Sequence, residues 1–506
     1  MASRPLVLLC VLLLLLAPPA GATWSIVLVD TTTGEVGVAG ATCLEGLDLL
    51  KILPVVVVGK GGGCAQAQID TTAANRKEIF DNLILGTPPD QIITILLDGD
   101  LFWKSRQYGI ADLSPAAAGY TGGAAMQYKE DVHGTVGDIT YAIQGIVLTG
   151  APVIAAAVSA VTGTTGSLSD RLIAGMEAAR AMGGDGRCSC SVSDPTGCGS
   201  PPPSFVKSAH IAFMVVARIG DVDGTCTALK GCASGEYWLK FNVKGQFEAD
   251  PDPVYQLEDQ YAAFVETLHG HPDGLRSVAG FDHDELLADG QSTRTLTVAL
   301  YDYFGAPLLA GGAAVTVTHA PGSAGSCTPG PVTDHGDGTY SVEVTAGSTT
   351  GEDLFAVRVD DGFKPATLYP YPALRLREAL EADADSVSAG LGGSVQLDLL
   401  GPSDDGGRSF AVFLSATGSV PGQVLPTGVL LPLNFDQLFL ASQRLAISGV
   451  LSGSPGQLDG AAQGAAAFVP SPALLSALLG VDISCAWITL GPVDFASNAV
   501  NVTIEP

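Results

Sequence analysis

Positive charge is scarce in this chain. Lys and Arg number 24 against 52 Asp and Glu, so the formal net charge is −28. Such a surface repels phosphate backbones and anionic lipids, which excludes nucleic acid as a natural partner. Charge of either sign is low, at 15% of 506 residues, while 47% are hydrophobic, with 63 Gly and 31 Pro. That composition excludes a disordered chain and fits globular domains with many turns. Roughly three domains of about 150 residues account for the length. After residue 22 no apolar stretch reaches about 20 residues without a polar break, so no later membrane span is expected.

The first residues are different. One basic residue, Arg4, precedes an apolar run at 6–16, and Ala20-Gly21-Ala22 offers a small-x-small cleavage site. This is the pattern of a secretory signal, with the cut before Thr23. Cleavage there leaves a threonine whose free α-amino group is within reach of its own hydroxyl, one known way of activating a weak nucleophile. The bland alternative is that some residue must come first and Thr is common. The protein is expected to be secreted, periplasmic or on the cell surface.

Nine cysteines follow residue 22: Cys43, Cys64, Cys188, Cys190, Cys198, Cys226, Cys232, Cys327 and Cys485. In an exported protein they read first as disulfides, with an odd one left over. Cys43 with Cys64, and Cys226 with Cys232, are expected pairs. Cys188, Cys190 and Cys198 could instead hold zinc, but no fourth ligand lies at the right spacing. Metal and cofactor are therefore both expected to be none. Asp221-Val-Asp223-Gly224 lacks the rest of a calcium loop.

Residues 24–29, a turn at 31–34 and residues 35–41 predict a β-hairpin. Helical spacing follows at 75–85, 89–97, 151–161 and 168–182, and strand patterns occur at 55–58, 101–110, 117–121, 140–147, 209–217 and 237–243. Mixed strands and helices up to about residue 245 suggest two sheets with helices outside. Residues 246–275 read as a linker with one helix. Alternating strands and regular turns at 276–372 predict a β-sandwich. A linker at 373–391 and a second β-sandwich at 392–506 complete the expected domain order.

Several short motifs occur together. They are Thr23-Trp-Ser-Ile-Val with Asp30, Thr33-Gly-Glu-Val-Gly-Val-Ala39, Cys64-Ala-Gln66, Arg106-Gln107-Tyr-Gly109 with Asp112, and Tyr120-Thr-Gly122. His133, Gln144-Gly145 with Gly150, Ala181-Met-Gly-Gly-Asp185 with Arg187, and Lys207-Ser208-Ala209 follow in order. In this the segment 23–221 resembles the N-terminal-nucleophile-hydrolase-like family catalogued as DUF1028. The resemblance implies a four-layer α-β-β-α fold for 23–245, with Thr23 in the nucleophile's place. Departures are Ile146 where Asn is usual, Lys129-Glu-Asp-Val132 before the histidine, and an insertion between Arg187 and Ser208. Residues 288–340 resemble the Ig-like domains of invasin and intimin.

Each candidate residue has a chemical role and a plain alternative. Asp30 would orient the Thr23 ammonium, or merely start a turn. Gln66 would donate to an oxyanion, or bond a strand edge. Arg106 would bind a substrate carboxylate and Gln107 would accompany it, or both would be structural. His133, expected in a Gly-rich loop, would act as acid or base. Gln144 would wall the substrate, Asp185 would contact it or merely cap the turn after Gly183-Gly184, and Lys60 matches the partner lysine of related enzymes by chain position alone. Two functions fit: a secreted hydrolase acting on a small-molecule or peptide amide, or a non-catalytic adhesion protein binding an extracellular ligand through its β-sandwiches.

Overall fold

The computed structural model describes residues 23–506; the expected signal segment lies outside the described residues. The chain divides into two compact units, Met1–His269 and Gly270–Pro506.

The first unit is built on two sheets. Strands β1 (Thr23–Asp30), β2 (Val36–Thr42), β3 (Pro54–Val57), β4 (Gly61–Ala67), β5 (Arg106–Asp112), β6 (Ala117–Thr121), β7 (Lys129–Val136), β8 (Ile139–Ile146), β9 (Ile211–Ala217) and β10 (Leu239–Val243) supply them. One sheet has the order β10-β9-β2-β1-β8-β7 and the other β3-β4-β5-β6. All their pairings are antiparallel, with Trp24 opposite Ala41 and Thr23 opposite Ile146. The hairpin β1–β2 forms as expected.

β1 is buried throughout except at its last residue, so both of its faces are covered. Val27, Val29, Val36 and Val38 of one sheet and Val56, Cys64 and Ala111 of the other share a single core. The other faces of β3, β4 and β5 present Val55, Val57, Ala65, Tyr108 and Ile110 to Ile79, Phe80, Ile92 and Leu96. These last four belong to α2 (Ala74–Leu85) and α3 (Pro89–Gly99), which follow the single turn α1 (Leu49–Ile52). α4 (Pro152–Gly163) and α5 (Leu168–Ala181) pack together and against the six-stranded sheet. Gly175 permits this approach: a Cβ there would lie 2.8 Å from both Ile26 and Val161. Ser167 and Asp170 form a capping box at the start of α5.

Two expectations change in this unit. Segment 246–275 carries α7 (Pro253–Glu266), which packs on β9, β10 and α5. Asp252 caps it and also accepts from the backbone and hydroxyl of Ser208 at 2.7 and 2.9 Å. β7 is an additional edge strand where a loop was expected, because its residues are polar and half exposed and carry no apolar alternation.

The disulfides also differ. Cys43 pairs with Cys188, Cys190 with Cys198, and Cys226 with Cys232 as expected. Cys64 is a buried thiol on β4 that faces the inter-sheet core, out of reach of Cys43 beyond the end of β2. The three-cysteine zinc reading fails because all three sulfurs are oxidised. Closing 145 residues, the Cys43–Cys188 link contributes about 5 kcal/mol on a chain-entropy basis, against roughly 2–3 for the 8-residue loop.

The second unit is β-rich. Val278–Phe281, Thr293–Ala299, Thr339–Thr345 and Thr328–Asp334 form one sheet; Glu285–Leu287, Ala373–Arg377, Gly351–Asp360 and Ala314–His319 form the second. Leu296, Val298, Tyr340, Val342, Phe355 and Val357 fill the space between them. Two further sheets enclose Trp487, Phe410, Val412, Leu397 and Leu399. Strands Leu380–Ala382 and Ser386–Ser388 belong to these sheets, so the expected linker 373–391 is folded. The last module also holds helices Gln437–Ile447 and Pro472–Ala477. Among the described residues no helix is long and apolar enough to cross a membrane.

Candidate functional site

Strand alternation puts Thr23, Ser25 and Val27 on the face of β1 that meets the second sheet. Cys64 and Gln66 on β4, Gln107 on β5 and Gln144 on β8 face the same space. Ser25 Oγ donates to Gln66 Oε1 at 2.7 Å, and Gln144 Nε2 donates to Ser25 Oγ at 3.2 Å. Gln66 Nε2 donates to the Thr23 carbonyl at 3.2 Å and to Gln107 Oε1 at 2.7 Å. Gln107 Nε2 faces Thr121 Oγ1 at 2.8 Å and the carbonyls of Glu130 and Gly145 at 3.0 and 3.1 Å. Thr121 in turn donates to Asp131 Oδ2. The polar cluster thus runs from a fully buried end at Thr23 to half-exposed Asp131.

Two buried atoms in this cluster have no hydrogen-bond partner among the described residues: Thr23 Oγ1 and Gln144 Oε1. Thr23 is 1% exposed. An unpaired buried hydroxyl costs roughly 1–3 kcal/mol, so its retention calls for an explanation. Burial pushes the Cys64 thiol up to about 12, against a hydrogen bond with Ser25, so the sulfur beside the cluster is inert as a thiolate.

Of the residues singled out from sequence, Thr23, Gln66, Gln107 and Gln144 come together. Asp30 does not. It ends β1, roughly 23 Å from Thr23 at about 3.3 Å per residue, and its carboxylate accepts from the Thr32 and Thr33 backbones at 2.9 and 3.0 Å. It is a turn residue. Arg106 lies on the other face of β5, with Tyr108. Its Nε pairs with Asp100 at 2.7 Å, and its guanidinium also reaches the Gln68 carbonyl. Burial alone would raise the Asp100 carboxyl; bonds from Arg106, the Phe102 backbone and Asn75 outweigh it and hold it low. That arginine is committed to the packing of α2 and α3. His133 is exposed on edge strand β7, its Nδ1 4.0 Å from Asp131 Oδ1. Lys60 is exposed at the β3–β4 turn.

Asp185 is fully buried at the N-cap of α6 (Gly186–Ser189). Its carboxylate accepts from the Cys43 backbone at 2.8 Å and pairs with Arg187 at 2.8 Å. Arg187 also approaches Thr42 Oγ1 at 3.5 Å. Thr42 lies one ladder step beyond the Trp24–Ala41 pair, so this ion pair sits at the Thr23 end of β1. Sequence reasoning passed over Thr121, Asp131 and His210. Thr121 lies in the Tyr120-Thr-Gly122 motif on β6, which was the available signal; nothing local marked Asp131 on polar β7 or His210. Burial, reinforced by Lys207, holds His210 below the ordinary imidazole value, against the pull of Glu248 and Glu45.

Residues 23–193 match a family of unknown function, DUF1028. Residues 276–368 match invasin domain 3. Among solved structures, a DUF1028 protein from Silicibacter pomeroyi is 20% identical, covering 48% of this chain and 85% of that one, with a TM-score of 0.33. The Yersinia pseudotuberculosis adhesin InvE is 18% identical over 46% of this chain and 60% of that one, TM-score 0.18. The Escherichia coli adhesin FdeC is 13% identical over 96% and 99%, TM-score 0.20. No curated protein matches the chain.

Proposed function

We propose that the first unit is a four-layer α-β-β-α amidohydrolase of the N-terminal-nucleophile kind, exported by a signal cleaved before Thr23. The observation that carries this is the Thr23 hydroxyl: buried, without a partner, and set among three glutamines and a serine. Once freed, the Thr23 amino group takes the hydroxyl proton as the oxygen attacks an amide carbonyl. The amine product leaves with that proton, and water then releases the acyl group. Both Gln66 Nε2 hydrogens are taken by the Thr23 carbonyl and Gln107, so the N–H for a developing oxyanion comes from Gln144, whose Nε2 makes one bond, to Ser25. On this reading Arg187, held by buried Asp185 near the Thr23 end of β1, meets the substrate. An electrophilic β-lactone tests the reading on exported protein. Acylation of Thr23 in wild type and its loss in Thr23→Ala is the expected outcome; equal labelling of both, or a first residue other than Thr23, defeats it.

A second reading rests on the invasin domain 3 match. Together with the disulfides, it favours an extracellular or surface location, with the β-rich unit binding a ligand there. Binding of the chain to host or matrix glycoproteins, undiminished by Thr23→Ala and without lactone labelling, would favour adhesion alone.

A further inference from the structure

One sulfur-rich cluster lies outside the polar cluster between the sheets. Cys43 follows β2 directly, Cys188 lies in α6, and His210 immediately precedes β9. A ring nitrogen of His210 and the two sulfurs all lie within 4.8 Å of one another. The imidazole is only 4% exposed, and its Nδ1 is buried with no hydrogen-bond partner. Its Nε2 lies 3.5 Å from Glu45 Oε1 and 3.6 Å from Glu248 Oε2. One ring nitrogen is therefore free in a buried site while the other faces carboxylates, the arrangement that orients a metal-bound histidine.

We propose that Cys43, Cys188 and His210 form a zinc site that opens when the Cys43–Cys188 disulfide is reduced. A phosphine reductant breaks the S–S bond. The phosphine and one water supply two electrons and two protons, giving two thiols and the phosphine oxide. Zn²⁺ then displaces both thiol protons, and the two thiolates cancel its charge. At a Zn–S distance of about 2.3 Å, tetrahedral thiolates sit about 3.8 Å apart, so the sulfurs part by side-chain rotation. His210 Nδ1 is the third ligand, and a water completes the set. Added diamide takes two electrons from the thiolates and two protons from water, which restores the disulfide and releases Zn²⁺. The proposal is independent of any reaction at Thr23.

The test uses the full chain, reduced with a phosphine, desalted without oxygen, and titrated with zinc against a chromophoric chelator. Reduced wild type should bind zinc and the oxidised protein should not. His210→Ala leaves the disulfide intact and should weaken binding at least tenfold. Cys190→Ser/Cys198→Ser should bind like wild type. Cobalt in place of zinc should give thiolate charge-transfer bands that vanish in Cys43→Ser/Cys188→Ser. Zinc binding unchanged by His210→Ala, binding abolished by Cys190→Ser/Cys198→Ser, or no binding to reduced wild type would each overturn the proposal.

Discussion

At the scale of single residues, the candidate site depends on what is missing from Gly109. A Cβ there would lie 2.0 Å from Gln144 Oε1 and 2.7 Å from its Cδ, inside the contact distance of any real side chain. Gly109→Ala must expel the Gln144 amide from Ser25 or force the sheets apart, at a cost of about 1–3 kcal/mol. Gly109→Ala/Gln144→Ala removes the collision. Thermal unfolding should show the single variant well below wild type and the double variant closer to it, a coupling typical of residues in contact. Additive losses would mean that Gln144 does not occupy the space beside Gly109. The same logic explains what could be read in advance here. Thr23 was legible from the cleavage site and the motif order, and Gln66 and Gln144 from their motifs; that the three face one another across two sheets is set by strand pairing distant in sequence, which no local pattern shows. Asp30 and Arg106 misled because proximity in sequence and a motif's charge do not say which end, or which face, of a strand a residue occupies.

Elements tell a similar story at larger size. Hairpin β1–β2, helices α2 to α5 and the alternating strand Thr293–Ala299 were legible because long periodic patterns outweigh local noise. β7 was not, since a polar edge strand has no buried face to impose a pattern. Helix Gln437–Ile447 was hidden in a segment read as strands by its short apolar runs. In the first sandwich, one loop hangs on one carboxylate. Asp353, fully buried, accepts from the backbones of Gly325, Ser326 and Cys327 and from Ser323 Oγ. Burial alone would raise this carboxyl; the bonds from Cys327, Ser326 and Ser323 outweigh it and lower it. A depressed folded-state value means that the stabilisation is complete above the ordinary carboxylate range, about 4, and is lost as pH falls through the folded value. Hydrogen exchange of the backbone at 323–327 should therefore be protected at neutral pH and lose protection in acid. Asp353→Ala should be unprotected at both. Protection that persists in Asp353→Ala would assign the loop's order to other contacts.

The whole molecule sets where the chain can be cut and what a reagent can reach. The boundary falls between exposed His269 and Gly270. Limited proteolysis should cut there first. A fragment ending at Val243 loses α7, whose Val254, Leu257 and Tyr261 are buried and whose Phe264 packs edge-on against Trp238 and Phe241. At about 1.5–3 kcal/mol per buried apolar side chain, that loss approaches the stability of a typical domain, so the Val243 fragment should fail to fold where one ending at His269 succeeds. The cysteines give a sharper count. Six are oxidised, and Cys64, Cys327 and Cys485 are buried thiols, so the single odd thiol expected from parity becomes three. Burial pushes each of these up to about 12, with Asp353 adding to the rise at Cys327, so thiolate is scarce at pH 8 as well as shielded. Alkylation of the native protein should label none of these three. In denaturant without reductant it should label three sites in a chain cut before Thr23, and four in one that keeps Cys10. After reduction the counts should rise to nine and ten. Intact-protein mass spectrometry reads both the disulfide framework and the cleavage on which the Thr23 amine depends. A native thiol that labels fast would break the framework; four labelled sites would leave Thr23 without its base.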